Sequence, residues 1–146
     1  VAHAAFLAHL AATLAMTGVI WTIQLVHYPL FSGVGAEGFA AYEAAHQTRI
    51  TWVVGPLMLV ELAAAVALVA GLAPAGVPGW MGWAGLALLG VIWASTALVQ
   101  VPLHTALGAR FEEAAHARLV ATNWVRTAAW TARAALALAM TAALLR

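Results

Sequence analysis

Cysteine and lysine are both absent from the 146 residues, and charged side chains of any kind make up only 8%. Without cysteine there is no disulfide framework and no thiolate metal site, and redox compartment cannot be inferred from thiol usage. Soluble globular chains carry about a quarter charged residues, so this scarcity excludes an ordinary soluble domain. Six arginines against five acids leave a formal charge of +1. That balance is too even for a nucleic-acid surface or a polybasic lipid contact. What fills the chain instead is apolar: 65% of it is hydrophobic, with a mean hydropathy of +0.95. The expected surroundings are a lipid bilayer.

Four apolar stretches are long enough to cross a hydrocarbon core of about 30 Å, for which roughly 20 residues suffice. They run over about Ala4–Tyr28, Ile50–Leu72, Trp80–Val101 and Leu119–Leu145. The first has no basic segment before it and exceeds the length of a signal-peptide core, so it is expected to be a retained transmembrane helix. The Pro/Gly run GLAPAGVPG (Gly71–Gly79) and the Gly-rich FSGVGAEG (Phe31–Gly38) cannot continue helices. A third break is expected near Leu107–Ala109. These signals predict one all-α domain, an integral membrane four-helix bundle running up-down-up-down, with helices over about 3–31, 37–72, 79–107 and 109–146.

The two halves read as copies. Gln24-Leu-Val-His27-Tyr-Pro29-Leu30-Phe31 leads to Tyr42-Glu43-Ala-Ala-His46, and Ala97-Leu-Val-Gln100-Val-Pro102-Leu103-His104 leads to Glu112-Glu113-Ala-Ala-His116. Each half is an αα-hairpin with a Pro-Leu step and a Glu-Ala-Ala-His run, which predicts a pseudo-two-fold axis. Alternating helix direction brings His27, His46, His104 and His116 to one end of the bundle, while His3 and His9 fall at the other and read as interfacial.

Residues three apart share a helical face, so Glu43 with His46, and Glu113 with His116, can each present a carboxylate and an imidazole together. Di-iron carboxylate bundles use this spacing on two of their helices. The expected metal site is therefore His27, Glu43, His46, His104, Glu113 and His116, holding a transition metal among Fe, Cu, Zn and Mn. Two alternatives stay open. The polar ends can hydrogen-bond one another and water in the headgroup region, or two histidines can ligate a b-type haem. Deeper in the chain, Glu61 lies at a depth matching Arg133, and the cost of a lone charge in lipid predicts that it pairs with Arg133 or Arg126. Asn123 and Arg126, one turn apart below His116, form a candidate catalytic pair for stabilising an oxyanion. Trp80 and Trp83 fit an interfacial belt, and the other five tryptophans fit packing or the wall of an apolar ligand pocket.

The run LVQVPLHTALG (Leu98–Gly108), followed by ATNWVRTAAWTARAALAL (Ala121–Leu138), resembles the anthrone-oxygenase-like family of small four-helix membrane proteins, long classed as a domain of unknown function. His104 stands where that family tends to have Asn in a VPLN run, and Asn123-Trp124-Val-Arg126-Thr127 matches a W-N-H-x-R-T run with Trp in place of His. In the first half, HYPLF, YEAAHQTRI and GPLMLVE fit more loosely. The resemblance implies the four-helix membrane fold and oxidation of a phenolic or anthrone-type aromatic by O2 without a cofactor; Asn123 and Arg126 are the residues it carries over. His104 and the repeated Glu-Ala-Ala-His depart from it toward metal use.

The sequence therefore points to an integral membrane metal-binding oxidoreductase, of the bacterial inner membrane, acting on an apolar aromatic or quinone-like small molecule. The competing expectation is a non-catalytic accessory subunit of a larger membrane complex, binding haem or pigment through histidine. A homo-oligomer is compatible with either, and a nucleic-acid partner with neither.

Overall fold

The computed structural model describes residues 1–146 and is all-helical. Four helical spans, each long and apolar enough to cross a membrane, make up nearly the whole chain: α1 (Ala2–Gly33), α2 (Ala36–Leu72), α3 (Gly79–Ala109) and α4 (Glu113–Leu144). At 1.5 Å per residue these spans measure roughly 46–56 Å, well beyond the hydrocarbon thickness. Their ends therefore stand in the interfacial layers, and a residue some ten positions from an end lies near the hydrocarbon boundary.

The third break falls at Arg110–Glu112, not at Leu107–Ala109 as the sequence suggested. Gly108 stays helical and lies against α2, where a Cβ would meet Gln47 Nε2 at 3.5 Å. Arg110 is the first extended residue, with φ −164° and ψ 152°, and its guanidinium pairs with Glu112 in the turn. At the end of α2, Gly71 adopts φ +98°, the left-handed conformation that closes helices and that a Cβ disfavours. A Cβ on Gly71 would meet nothing within 4 Å, so the conformation alone sets the effect of substitution. Gly71→Ala is expected to lower stability by about 1 kcal/mol, readable as a shift of the thermal midpoint in detergent with no change in helical content.

Three of the spans are not α-helical throughout: α2 ends in a π-helical turn, Leu68–Leu72, that closes at Gly71. Ile23–His27 in α1 and Thr96–Gln100 in α3 are π-helical turns, each ending two residues before a proline, Pro29 or Pro102. Proline lacks an N–H and its ring crowds the carbonyl four residues back, here Leu25 or Leu98, and both lie within the widened turns. Pro56 sits in α2 inside regular α-helix, so proline alone does not make such a turn. At 23–27 and 96–100 the widened turn also carries a glutamine, Gln24 or Gln100, into the bundle, where both are buried. After Pro29 the first span tightens into a 3-10 turn (Pro29–Gly33), whereas the third continues as α-helix from Val101 to Ala109.

In packing, α1 lies on α2 and α4, and α3 lies on the same two. Met16, Ile20, Leu89, Ile92 and Trp130 fill the centre with no exposed surface. The outer surface is apolar as well: Trp52 is 79% exposed and Leu98 75%, with Leu30, Leu59, Trp80 and Trp83 also outward. Eleven of the 35 buried residues are polar or charged, the inverse of a soluble fold and the arrangement expected where lipid is the solvent.

The deepest polar contact is centred on Arg133. Its guanidinium meets Glu61 Oε1 of α2 at 3.4 Å, Thr13 Oγ1 of α1 at 3.4 Å and the Gly85 carbonyl of α3, so one side chain of α4 touches all three other spans. Trp130 Nε1 donates to the second oxygen of Glu61 at 2.9 Å. Of the two partners the sequence allowed Glu61, the structure selects Arg133. His9, seven residues from the start of α1, lies at the expected end of the bundle but is turned inward and 3% exposed, while His3 faces outward.

Candidate functional site

The last residues of α1, the first third of α2 and the end of α3 bring a cluster of imidazoles around one carboxylate. Glu43 is completely buried. One ligand atom each from Glu43, His46 and His104 lies within 4.8 Å of the others. Ligands about 2.0–2.2 Å from a first-row ion stand at most about 4.4 Å apart, so side-chain adjustment of a few tenths of an ångström closes the set. Glu43 Oε1 accepts from His104 Nδ1 at 2.5 Å and from Gln47 Nε2 at 3.1 Å, while its Oε2, also buried, has no partner. Gln47 is fixed by a second donation to the His104 carbonyl at 3.2 Å.

Two neighbours orient the imidazoles. His27 Nε2 and His46 Nδ1 share a hydrogen bond of 2.8 Å, which leaves His46 Nε2 as its free ligand atom. The Tyr28 hydroxyl lies 2.8 Å from His104 Nε2, so Tyr28, His104 and Glu43 form a continuous hydroxyl–imidazole–carboxylate chain. Phe31, fully buried in the 3-10 turn, packs edge-to-face with ring centres 5.2 Å from those of His27 and His46 and walls the cluster.

The six residues expected to form one metal site separate into two groups. Glu43, His46 and His104 come together with His27 beside them; Glu113 is exposed at the start of α4 and His116 donates its Nε2 proton to the Tyr28 carbonyl at 2.7 Å. The physical reason is rotational. Glu43 follows Pro29 by fourteen residues through a 3-10 turn, whereas Glu113 follows Pro102 by eleven through continued helix and an extended turn, so the two Glu-Ala-Ala-His runs meet the bundle axis with different faces.

Asn123 and Arg126 separate in the same way. Asn123 is fully buried and spends its amide N–H on Gln24 Oε1 at 2.9 Å, while Thr127 Oγ1 approaches the same oxygen at 3.3 Å. Arg126 instead lines a cavity of about 170 Å³ that also exposes Tyr28, His46, His104 and Gln100. Its guanidinium carbon lies 5.3 Å from the Trp130 ring centre. Tyr28 and Gln47 are site residues that spacing rules did not single out. Tyr28 adjoins His27 in HYPLF, and Gln47 follows Glu43 by one helical turn, the only sequence signals either offers.

No protein-family model, curated protein or solved structure matches this chain.

Proposed function

We propose that the chain is an integral membrane metalloprotein that oxidises a lipid-soluble aromatic or quinol-type molecule, with Glu43, His46 and His104 holding a first-row transition metal. The observation that carries this reading is Glu43: a carboxylate without solvent contact, with one oxygen unpartnered, among three imidazoles. Burying such a group without a cation costs several kcal/mol. A divalent ion in place of the proton shared by Glu43 and His104 would give the carboxylate its counter-charge and a ligand for the idle oxygen. Two imidazoles and a carboxylate with room for further ligands suit Fe(II) best, with Zn, Mn and Cu as the other first-row choices. Haem b asks the same imidazoles to flank a porphyrin, whereas the cavity beside them, about 170 Å³, is on the scale of a single aromatic ring.

Bound there, the metal supplies one-electron chemistry or Lewis acidity. The protein's own groups divide the rest. Arg126 faces the cavity and stabilises negative charge developing on a substrate oxygen. The Tyr28 hydroxyl, fixed 2.8 Å from His104 Nε2, positions the substrate hydroxyl, and a bound metal would supply the one-electron chemistry, with an external acceptor as the oxidant. Dioxygen is the acceptor that the anthrone-oxygenase-like resemblance implies. Asn123 acts one step removed, by fixing Gln24 within its π-helical turn.

The same reading makes the bundle an up-down-up-down arrangement of two hairpins about a pseudo-two-fold axis, supported by the π-helical turns at matching places before Pro29 and Pro102. Arg49, Arg110 and Arg118 lie toward the histidine end, which favours a cytoplasmic site in a bacterial inner membrane. An accessory subunit is the weaker alternative, since outward apolar residues are spread over all four spans, with Leu25, Leu59, Leu98 and Leu138 as examples, and form no single stripe for a partner.

The test is elemental analysis of detergent-purified protein. About one equivalent of Fe or another first-row metal per chain is expected, and none in the double variant His46→Ala/His104→Ala when its helical circular dichroism is retained. A parent chain that purifies folded and metal-free from iron-, zinc-, manganese- and copper-supplemented cells, and takes up none of them on titration, sinks the metal reading.

A further inference from the structure

Arg126 is a buried cation without a counter-charge. It is 5% exposed, and the ion pairs of the chain are His104–Glu43, Arg110–Glu112 and Arg133–Glu61, none of which includes it. Its Nε has no hydrogen-bond partner. A guanidinium does not shed its proton, and an unpaired charge inside a membrane bundle is costly. The Trp130 face at 5.3 Å and the neutral Tyr28 hydroxyl beside it offset only part of this.

The second unsatisfied atom borders the same space. Gln100 is 1% exposed; its Nε2 donates to Thr122 Oγ1 at 3.0 Å, but its Oε1 has no donor. Gln100 and Arg126 both line the cavity of about 170 Å³, and Ile23, Ile50, Val54 and Val101 supply its apolar wall. The cavity thus presents a cation lacking an anion, an acceptor lacking a donor, and hydrocarbon between them. A dry cavity of about 150 Å³ takes benzene, so this one takes one ring with its substituents and is too small for three fused rings. Val101, 54% exposed, and Thr51, also outward, mark its mouth between α2 and α3 on the lipid-facing surface.

We propose that this cavity binds the mono-anion of a lipid-soluble, single-ring hydroxyaromatic acid that enters from the bilayer between α2 and α3, its charged oxygen on Arg126 and a second hydroxyl donating to Gln100 Oε1. The inference names the substrate class for the oxidation proposed above. It rests on Arg126 and Gln100 and not on a metal at His46 and His104, which share the cavity wall, so it is tested on chelator-stripped protein. Failure here leaves the metal centre standing, and a metal-free parent leaves this site standing.

The probe is 4-nitrocatechol, whose anion absorbs at longer wavelength than its acid. It is titrated into detergent-purified full-length protein at a pH where the free compound is protonated. The expected result is a saturable anion band at one site per chain, displaced by salicylate, which identifies a carboxylate as an acceptable anionic group, and not displaced by neutral nitrobenzene or by a three-ring anthracene carboxylate. Arg126→Gln is expected to abolish the band and weaken binding at least about tenfold. Gln100→Leu is expected to weaken 4-nitrocatechol several-fold while leaving 4-nitrophenol, which lacks the second hydroxyl, unaffected. Val101→Trp, which fills the mouth from the lipid side, is expected to weaken binding at least about tenfold with helical content retained. If Arg126→Gln fails to fold, the other two variants decide. An anion band undiminished in folded Arg126→Gln, equal displacement by nitrobenzene, or full binding in both Gln100→Leu and Val101→Trp overturns the proposal.

Discussion

Arg133→Leu is expected to destabilise the protein by about 3–5 kcal/mol, the largest loss for any single side chain in the bundle. Glu61→Leu is expected to fall in the same range, and the double variant Glu61→Leu/Arg133→Leu to lie only about 3 kcal/mol below the parent, far short of the sum of the singles. Each single change leaves a buried charge opposite hydrocarbon, with Glu61 and Arg133 both essentially unexposed. Removing both takes away the charge problem and leaves only the orphaned Trp130 N–H, Thr13 hydroxyl and Gly85 carbonyl, each worth about 1 kcal/mol when deprived of its partner. Because Arg133 touches three other spans, its loss is expected to be felt by the whole bundle and not only by the α2–α4 contact. Unfolding in mixed micelles, read by circular dichroism, measures the cycle. A double variant as unstable as the sum of the singles contradicts this account, and would mean that the two charges act through separate partners.

Glu43→Gln is expected to weaken metal binding by at least about 100-fold, while Glu113→Gln leaves it within about twofold of the parent. The two glutamates occupy corresponding places in the repeat, so sequence alone assigns them the same role. Glu43 is enclosed, its Oε1 bonded to His104 Nδ1 and Gln47 and its Oε2 buried without a partner. Glu113 lies exposed beside an open groove shared with His116, Phe111 and Trp124, in contact with water. Amide for carboxylate at Glu43 keeps the shape and removes the charge that a divalent ion requires; at Glu113 the same change removes a solvated charge. Competitive titration against a chromophoric chelator separates the two variants. Equal losses in both would restore a symmetric six-residue site, and no loss in either would remove the carboxylate from the centre altogether.

Much of the architecture was legible because lipid imposes it. Scarce charge and four apolar stretches require membrane-spanning helices, since no other open structure satisfies the backbone there. Gly71 and the proline-rich turn after it end α2 for local reasons that hold wherever the chain folds. The pairing of Glu61 with an arginine followed from depth along the helices and the cost of a lone charge. Arg133 won over Arg126 because it alone reaches Glu61, Thr13 and the Gly85 carbonyl together.

The site was only half legible. Spacing identified Glu43, His46 and His104, and the break misplaced at Leu107–Ala109 cost little because α3 stays helical through Gly108, against Gln47. Spacing also enlisted Glu113 and His116, and placed Asn123 beside Arg126 over one oxygen. A repeat reports which residues share a face of their own helix. It does not report how that face is turned toward the neighbours.

For this protein the sequence by itself determined the apolar surroundings, the number of spans, the turn that ends the second and which polar groups need company in hydrocarbon. Only the tertiary structure decided which of two identical Glu-Ala-Ala-His runs closes on His104, which of two adjacent polar residues faces the cavity, and that Tyr28 completes the chain from His104 outward. The physical reason is that helices apolar on every side have no hydrophobic stripe to fix their rotation. Their rotation is set instead by packing and by the length and geometry of the turns between them, here a 3-10 turn after Pro29 against continued α-helix after Pro102.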